Sequence, residues 1–172
     1  RATSLNGLYL KHYDPKLIYR DEKMHSALQL MTPFDCDTSE PRSAYEVVHH
    51  NVRGLRSKLT DIKVNSELSS ATVLAITETM LQPGVSDEEI RLPGYTVCRK
   101  DRPDGHGGVA LYLSENTEWE LMPLQSDLEC CAVKLKPENH APYVVVVIYR
   151  PPGLAVQRFR PLLQHLLHTL EE

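Results

Sequence analysis

Three polar side chains follow directly on strongly apolar runs, and their types suit phosphate and metal chemistry. Asn51 follows YEVVHH, Glu78 follows ATVLAIT, and Tyr149 closes YVVVVIY. A carboxylate set against a buried run is costly unless it escapes into solvent or meets a cation. An amide can orient a neighbour or a phosphate oxygen, a carboxylate can bind a hard divalent cation, and a phenol can donate to a phosphate. Each residue also has an ordinary reading. Strands often end in polar residues, Asn favours turns for its own reasons, and a Tyr at a core edge can simply keep its hydroxyl wet.

Positioning these groups requires strands that stop beside them. YEVVHHN reads as a strand, and Leu55, Leu59 and Ile62 recur at helical spacing immediately after it. Ala71 to Thr77 is apolar on both faces, which predicts a central strand. Ser86 stands three residues before Glu89, the capping-box spacing of a short helical turn. YTVCR, GVALYL and TEWEL follow as short strands with the turn DRPDGHGG between the first two, then come alternating ECCAVKL, the turn PENHAP and the strand YVVVVIY. Phe159, Leu162, Leu163, Leu166, Leu167 and Leu170 define an amphipathic helix, with Pro161 expected in its first turn. The order of elements predicts an α/β (α+β) layered domain, in which the edge where strands end is the usual place for a site.

At 172 residues the chain has room for one domain with a sizeable core. The polar, weakly periodic residues 1–42 are expected to be an N-terminal extension or linker, with a short helix around Lys23 to Met31, and residues 43–172 to carry the domain. A formal charge of -4 argues against a protein that coats nucleic acid by charge alone, but permits a local cationic groove. Cys36, Cys98, Cys130 and Cys131 form no CxxC pair and read as reduced cysteines of an intracellular protein. No apolar run is long enough to cross a bilayer and the first residues lack a signal-peptide plan. Both ends look cut from a longer chain, so YVVVVIY and the final helix are expected to expose apolar surface.

The ordered set NVRGLRSKL, LAITETML, YTVCRKDRPDGHGGVALYL and VVVIYRPPG closely resembles the endonuclease domain of non-LTR (LINE-type) retrotransposons. That domain belongs to the endonuclease/exonuclease/phosphatase superfamily, and the resemblance covers about residues 45–157. It implies a DNase I-like fold, a two-layer β-sandwich flanked by helices, here with the C-terminal half absent. It implies Asn51 as the residue that orients the scissile phosphate and the metal-bound carboxylate, Glu78 as principal ligand of Mg²⁺ (or Mn²⁺), and Tyr149 as a phosphate contact. Arg102 and the Gly107-Gly108 pair match a segment concerned more with backbone shape than with chemistry.

The implied reaction is metal-dependent hydrolysis of a DNA phosphodiester, nicking a target in the nucleus so that a partner reverse transcriptase domain can prime on it. Met80 stands where the family usually has Trp, and Gly54 where it usually has Ser. The family's later Gly-Asp-Phe-Asn and Ser-Asp-His segments, which supply the base and further ligands, have no counterpart before Glu172. The chain alone is therefore expected to be inactive. The alternatives are a non-catalytic remnant or binding module of the same fold, and a phosphatase or phosphodiesterase acting on small phosphate esters.

Other polar groups have plainer readings. His49 and His50 must point to opposite faces of a strand, so they cannot share one ion. His165 and His168 lie three apart on a helix, close enough to share an ion, but more commonly explained as imidazoles near its C-terminal end, while His106 reads as an exposed turn residue in a loop that could lie near nucleic acid. Arg53, Arg56 and Lys58, then Arg99, Lys100 and Arg102, then Arg150, Arg158 and Arg160 are cationic clusters that suit either a DNA backbone groove or solvated faces.

Overall fold

Val47 and Val48, the unbroken run Val144 to Val147 and the segment VLAIT are of the residue types that fit a pleated, buried surface, and all of them lie in strands. The computed structural model describes residues 2–5, 8–12, 26–31, 45–138 and 142–171. Its strands are β1 (Ala2–Leu5), β2 (Leu8–His12), β3 (Ser26–Met31), β4 (Glu46–Asn51), β5 (Val73–Thr77), β6 (Tyr95–Lys100), β7 (Val109–Ser114), β8 (Trp119–Met122), β9 (Glu129–Leu135) and β10 (Tyr143–Tyr149). The helices are α1 (Leu55–Val64), α2 (Ser66–Ser69) and α3 (Val156–Glu171).

The strands form two sheets, in the orders β1-β2-β4-β5-β7-β6 and β3-β10-β9-β8. Strands β4 and β5 are parallel, joined across helix α1, and β5 pairs on its other side with antiparallel β7. All pairings of the second sheet are antiparallel. Every residue of β5 is buried, as the absence of a polar face in its sequence requires.

Alternation along the strands divides the core into three layers. Val73, Ala75 and Leu111 of the first sheet meet Val133, Val145 and Val147 of the second between the sheets. The Sγ atoms of Cys98 and Cys131 approach to 2.7 Å in the same layer. The opposite residues of the first sheet, Val48, Leu74, Ile76 and Tyr112, pack with Leu55 and Ile62 of α1. Those of the second, Cys130, Val146 and Ile148, pack with Leu166 and Leu170 of α3. The protein is thus mixed α and β, layered helix, sheet, sheet, helix, and the neighbouring cysteines Cys130 and Cys131 face different layers. No helix among the described residues is long and apolar enough to cross a membrane.

Three expectations are corrected. Ser26–Met31 is not part of a helix but a strand paired antiparallel with β10, from Val144 opposite Met31 to Tyr149 opposite Ser26. A short isolated helix is marginal in water, whereas a strand gains a full ladder on an open sheet edge. The YVVVVIY segment is covered rather than exposed over Val145 to Ile148, each 0% accessible between β3, β9, the first sheet and α3. Pro161 is the sixth residue of α3 rather than part of its first turn, so the helix forgoes one amide donor there. Strands β1, β2 and β3 bring parts of residues 1–42 into both sheets. Cys36 and residues 139–141 of the PENHAP turn lie outside the described residues.

Candidate functional site

The strand registers align one row of residues across each sheet. Asn51 lies opposite Thr77, Thr77 opposite Val109 and Val109 opposite Lys100. In the second sheet Tyr149 lies opposite Glu129. Glu78 follows Thr77 directly, so the chain leaves β5 at the end of the first row. Tyr149 Oη donates to Glu78 Oε1 at 3.0 Å, which joins the two rows across 71 residues of sequence.

The backbone that carries Glu78 is unusual. Glu78 and Met80 have φ of 56° and 49°, and Arg53 has φ of 48°, a left-handed conformation that costs a residue with a Cβ about 1 kcal/mol or more. Hydrogen bonds from two loops hold the segment in place. On one side Gly54 N–H donates to Glu78 O at 2.9 Å and Leu55 N–H to Thr79 O at 2.8 Å, at the start of α1. On the other, Thr79 N–H donates to Gly108 O at 3.2 Å and Met80 N–H to Gly107 O at 2.7 Å. Glycine is required at both positions of that second loop. Gly107 and Gly108 have φ of 134° and 84°, and a Cβ on Gly108 would run into the Thr79 hydroxyl.

The electrostatics suit a donor phenol beside an anion. Burial, then the negative charge of Glu78 and the hydrogen bond to it, push the Tyr149 phenol up to about 12, so it stays protonated at neutral pH. Glu78 Oε2 has the Arg53 guanidinium at 4.0 Å, with the Arg53 side chain mostly in solvent. Asn51 Oδ1 is buried and accepts no hydrogen bond from the described residues. A buried amide oxygen without a donor is costly and marks a place where a donor or cation would be favourable.

Glu78 and Tyr149 are therefore in direct contact, while Asn51 reaches the same edge through its strand register and not through a bond to either. The oxygen donors, one carboxylate and one orphan amide carbonyl, fit Mg²⁺, which takes few carboxylates and keeps several waters. Among the described residues no group of three or more His, Cys, Asp or Glu side chains is arranged to hold a metal ion.

Sequence reasoning missed Glu129, which opens β9 opposite Tyr149. Gly108 N–H donates to its Oε2 at 2.8 Å and Arg102 Nη1 to its Oε1 at 3.2 Å. Burial raises the Glu129 carboxyl against those two donors. Its signal was available, since an acid stands at the start of ECCAVKL as Glu78 stands at the end of ATVLAIT.

The middle cationic cluster is committed internally. Arg99 pairs with Asp87 at 2.7 Å and Asp101 at 2.8 Å, and Lys100 Nζ donates to Ser126 O and Leu128 O at 2.8 and 2.9 Å. Arg56 pairs with Glu89 at 3.2 Å, Arg150 donates to Leu154 O at 2.7 Å, and Arg158 and Arg160 are exposed. His49 is buried with Nε2 3.3 Å from Thr77 Oγ1, and His106, His165 and His168 are exposed.

No protein-family model matches the chain, and no curated protein matches it.

Proposed function

We propose that this edge is the metal- and phosphate-holding part of a DNA-nicking endonuclease with a DNase I-like fold, of the type carried by non-LTR retrotransposons. The observation that carries the reading is the Tyr149 to Glu78 hydrogen bond at the sandwich edge, beside the unsatisfied Asn51 carbonyl. The helix, sheet, sheet, helix layering supports the same reading. Glu78 and Asn51 are the residues to hold Mg²⁺ or Mn²⁺, and the bound ion supplies polarisation of the phosphoryl oxygen and neutralisation of the leaving oxygen.

Tyr149, protonated, donates to a non-bridging phosphate oxygen once a phosphate displaces it from Glu78. Asn51 orients the carboxylate and the phosphate through its amide. Neither is a base at neutral pH, and water activation is assigned to none of the three. The substrate is duplex DNA in the nucleus, and the partner is a reverse transcriptase domain that extends the nicked strand.

The test is duplex binding measured with and without millimolar Mg²⁺ at constant ionic strength, paired with a plasmid-nicking assay. Mg²⁺ is expected to strengthen duplex binding by the native chain and not by Glu78→Gln, with nicking no higher than for Glu78→Ala. Duplex binding indifferent to both the metal and Glu78 would contradict the reading. That result favours the runner-up, a non-catalytic binding module.

A further inference from the structure

Glu129 lies on the opposite sheet from Glu78, yet a short chain of bonds links the two. The Glu129 carboxylate accepts from Gly108 N–H at 2.8 Å. The Gly108 carbonyl accepts from Thr79 N–H at 3.2 Å, and the adjacent Gly107 carbonyl accepts from Met80 N–H at 2.7 Å and Thr79 Oγ1 at 3.3 Å. Thr79 is flanked by the two left-handed residues, Glu78 and Met80. Nothing in the local sequence favours that conformation, so the two loops bonded to it, the start of α1 at Gly54 and Leu55 and the loop bearing Gly107 and Gly108, have to impose it.

The loop is in turn shaped around the Glu129 carboxylate. A Cβ on Gly107 would come within 2.5 Å of Glu129 Oε2 and 2.7 Å of Arg102 Cδ. Arg102 forks between two carboxylates, giving Nη1 to Glu129 at 3.2 Å and Nη2 to Asp104 at 2.6 Å. Asp104 also accepts from His106 N–H at 2.9 Å, closing the loop on itself. Lys100 fixes the approach to Glu129 by binding the carbonyls of Ser126 and Leu128.

We propose that Glu129 is a positioning residue for Glu78: by holding Gly108 and Arg102 it sets the strained turn that presents the Glu78 carboxylate to Tyr149. A glutamine at this position keeps the size but has one carbonyl oxygen for two donors, so either Gly108 N–H or Arg102 loses its acceptor. The inference extends the proposed metal site, but the positioning itself exists without metal.

The experiment therefore has two readouts on the full chain. Amide hydrogen exchange in metal-free buffer follows Thr79 and Gly108, with Leu74 and Leu111 as references in the sheet. Mn²⁺ titration followed by electron paramagnetic resonance gives the affinity of the Glu78 site. Glu129→Gln is expected to speed exchange at Thr79 and Gly108 at least tenfold, leave Leu74 and Leu111 within twofold, and weaken Mn²⁺ binding about tenfold. Glu120→Gln, which removes an exposed partner of Lys136 on β8, should change neither.

Unaltered Thr79 exchange in a folded Glu129→Gln protein overturns the proposal, as does equal acceleration at all four amides, which marks a general loss of stability. If the native chain binds no Mn²⁺, the metal site fails and the positioning role stands or falls on Thr79 alone. Should Glu129→Gln not fold, Arg102→Met removes the other partner of the carboxylate. It is expected to speed Thr79 exchange at least threefold, and no change there also overturns the proposal.

Discussion

At one end of the sandwich Glu78, Met80 and Arg53 hold left-handed backbone and Asn51 Oδ1 is buried without a donor among the described residues. At the other end, where β4 and β5 begin and β7 finishes, polar groups are paired and no described residue other than glycine has positive φ. Tyr95 Oη donates to Ala71 O at 2.5 Å, Glu46 N–H to Thr72 Oγ1 at 3.2 Å and Ser114 N–H to Thr72 O at 3.0 Å. Lys136 and Glu120 meet at 2.6 Å on the surface of the second sheet. Both ends are built from the same strands, so the difference cannot come from the sheet itself. Strain and an unsatisfied acceptor concentrated at one end are the pattern expected where local stability is given up for binding.

If the ends divide in this way, substitutions should separate stability from binding. The largest effect belongs to the shared middle. Leu111→Ala removes a fully buried side chain from the layer between the sheets and is expected to cost about 3 kcal/mol in denaturant unfolding. Next comes the quiet end, where Tyr95→Phe removes the buried hydroxyl that donates to Ala71 O. A loss of about 1.5 kcal/mol with unchanged Mn²⁺ affinity is expected, and a loss of affinity there would blur the division.

Tyr149→Phe is expected to cost less, about 0.5 kcal/mol near neutral pH, while weakening Mg²⁺-dependent duplex binding. Its pH dependence sharpens the comparison. The phenol is raised from 10.0 to about 12 on folding, first by burial and then by Glu78. A raised value stabilises the fold fully below pH 10, and that contribution is lost as pH climbs from 10 through about 12. Unfolding measured across that window should show the native chain losing ground to Tyr149→Phe, and parallel curves would contradict the burial of this hydroxyl against Glu78. The smallest effect is Lys136→Ala at the quiet end, expected within about 0.5 kcal/mol of native because its pair with Glu120 is solvent-screened.

Much of the second half of the fold was legible. Period-two alternation separated Cys130 from Cys131, the apolar faces of VLAIT announced a central strand, and Leu166 and Leu170 sit on the buried face of α3 as their spacing requires. The Ser86 and Glu89 capping pattern is realised, with Ser86 N–H to Glu89 Oε1 at 3.0 Å and Glu89 N–H to Ser86 Oγ at 3.4 Å. Ser26–Met31 was not legible because its strand character comes from the free edge of β10 and not from its own residues.

The site was legible in part. Asn51, Glu78 and Tyr149 could be read as strand-end groups, but the left-handed backbone at Glu78 and Met80 had no local signal, since neither residue favours it. Glu129 carries a strand-end signal at the start of ECCAVKL, but its pairing with Gly108, 21 residues away, leaves no periodic trace.

The oxygen-ligand role proposed for Glu78 at the sandwich edge is tested most directly by Mn²⁺ binding at equilibrium. The native chain should bind the ion with an affinity that falls at least tenfold in Glu78→Gln, while Tyr95→Phe and Glu120→Gln bind as the native chain does. A Glu78→Gln protein that is folded and binds Mn²⁺ as tightly as the native chain would contradict the account.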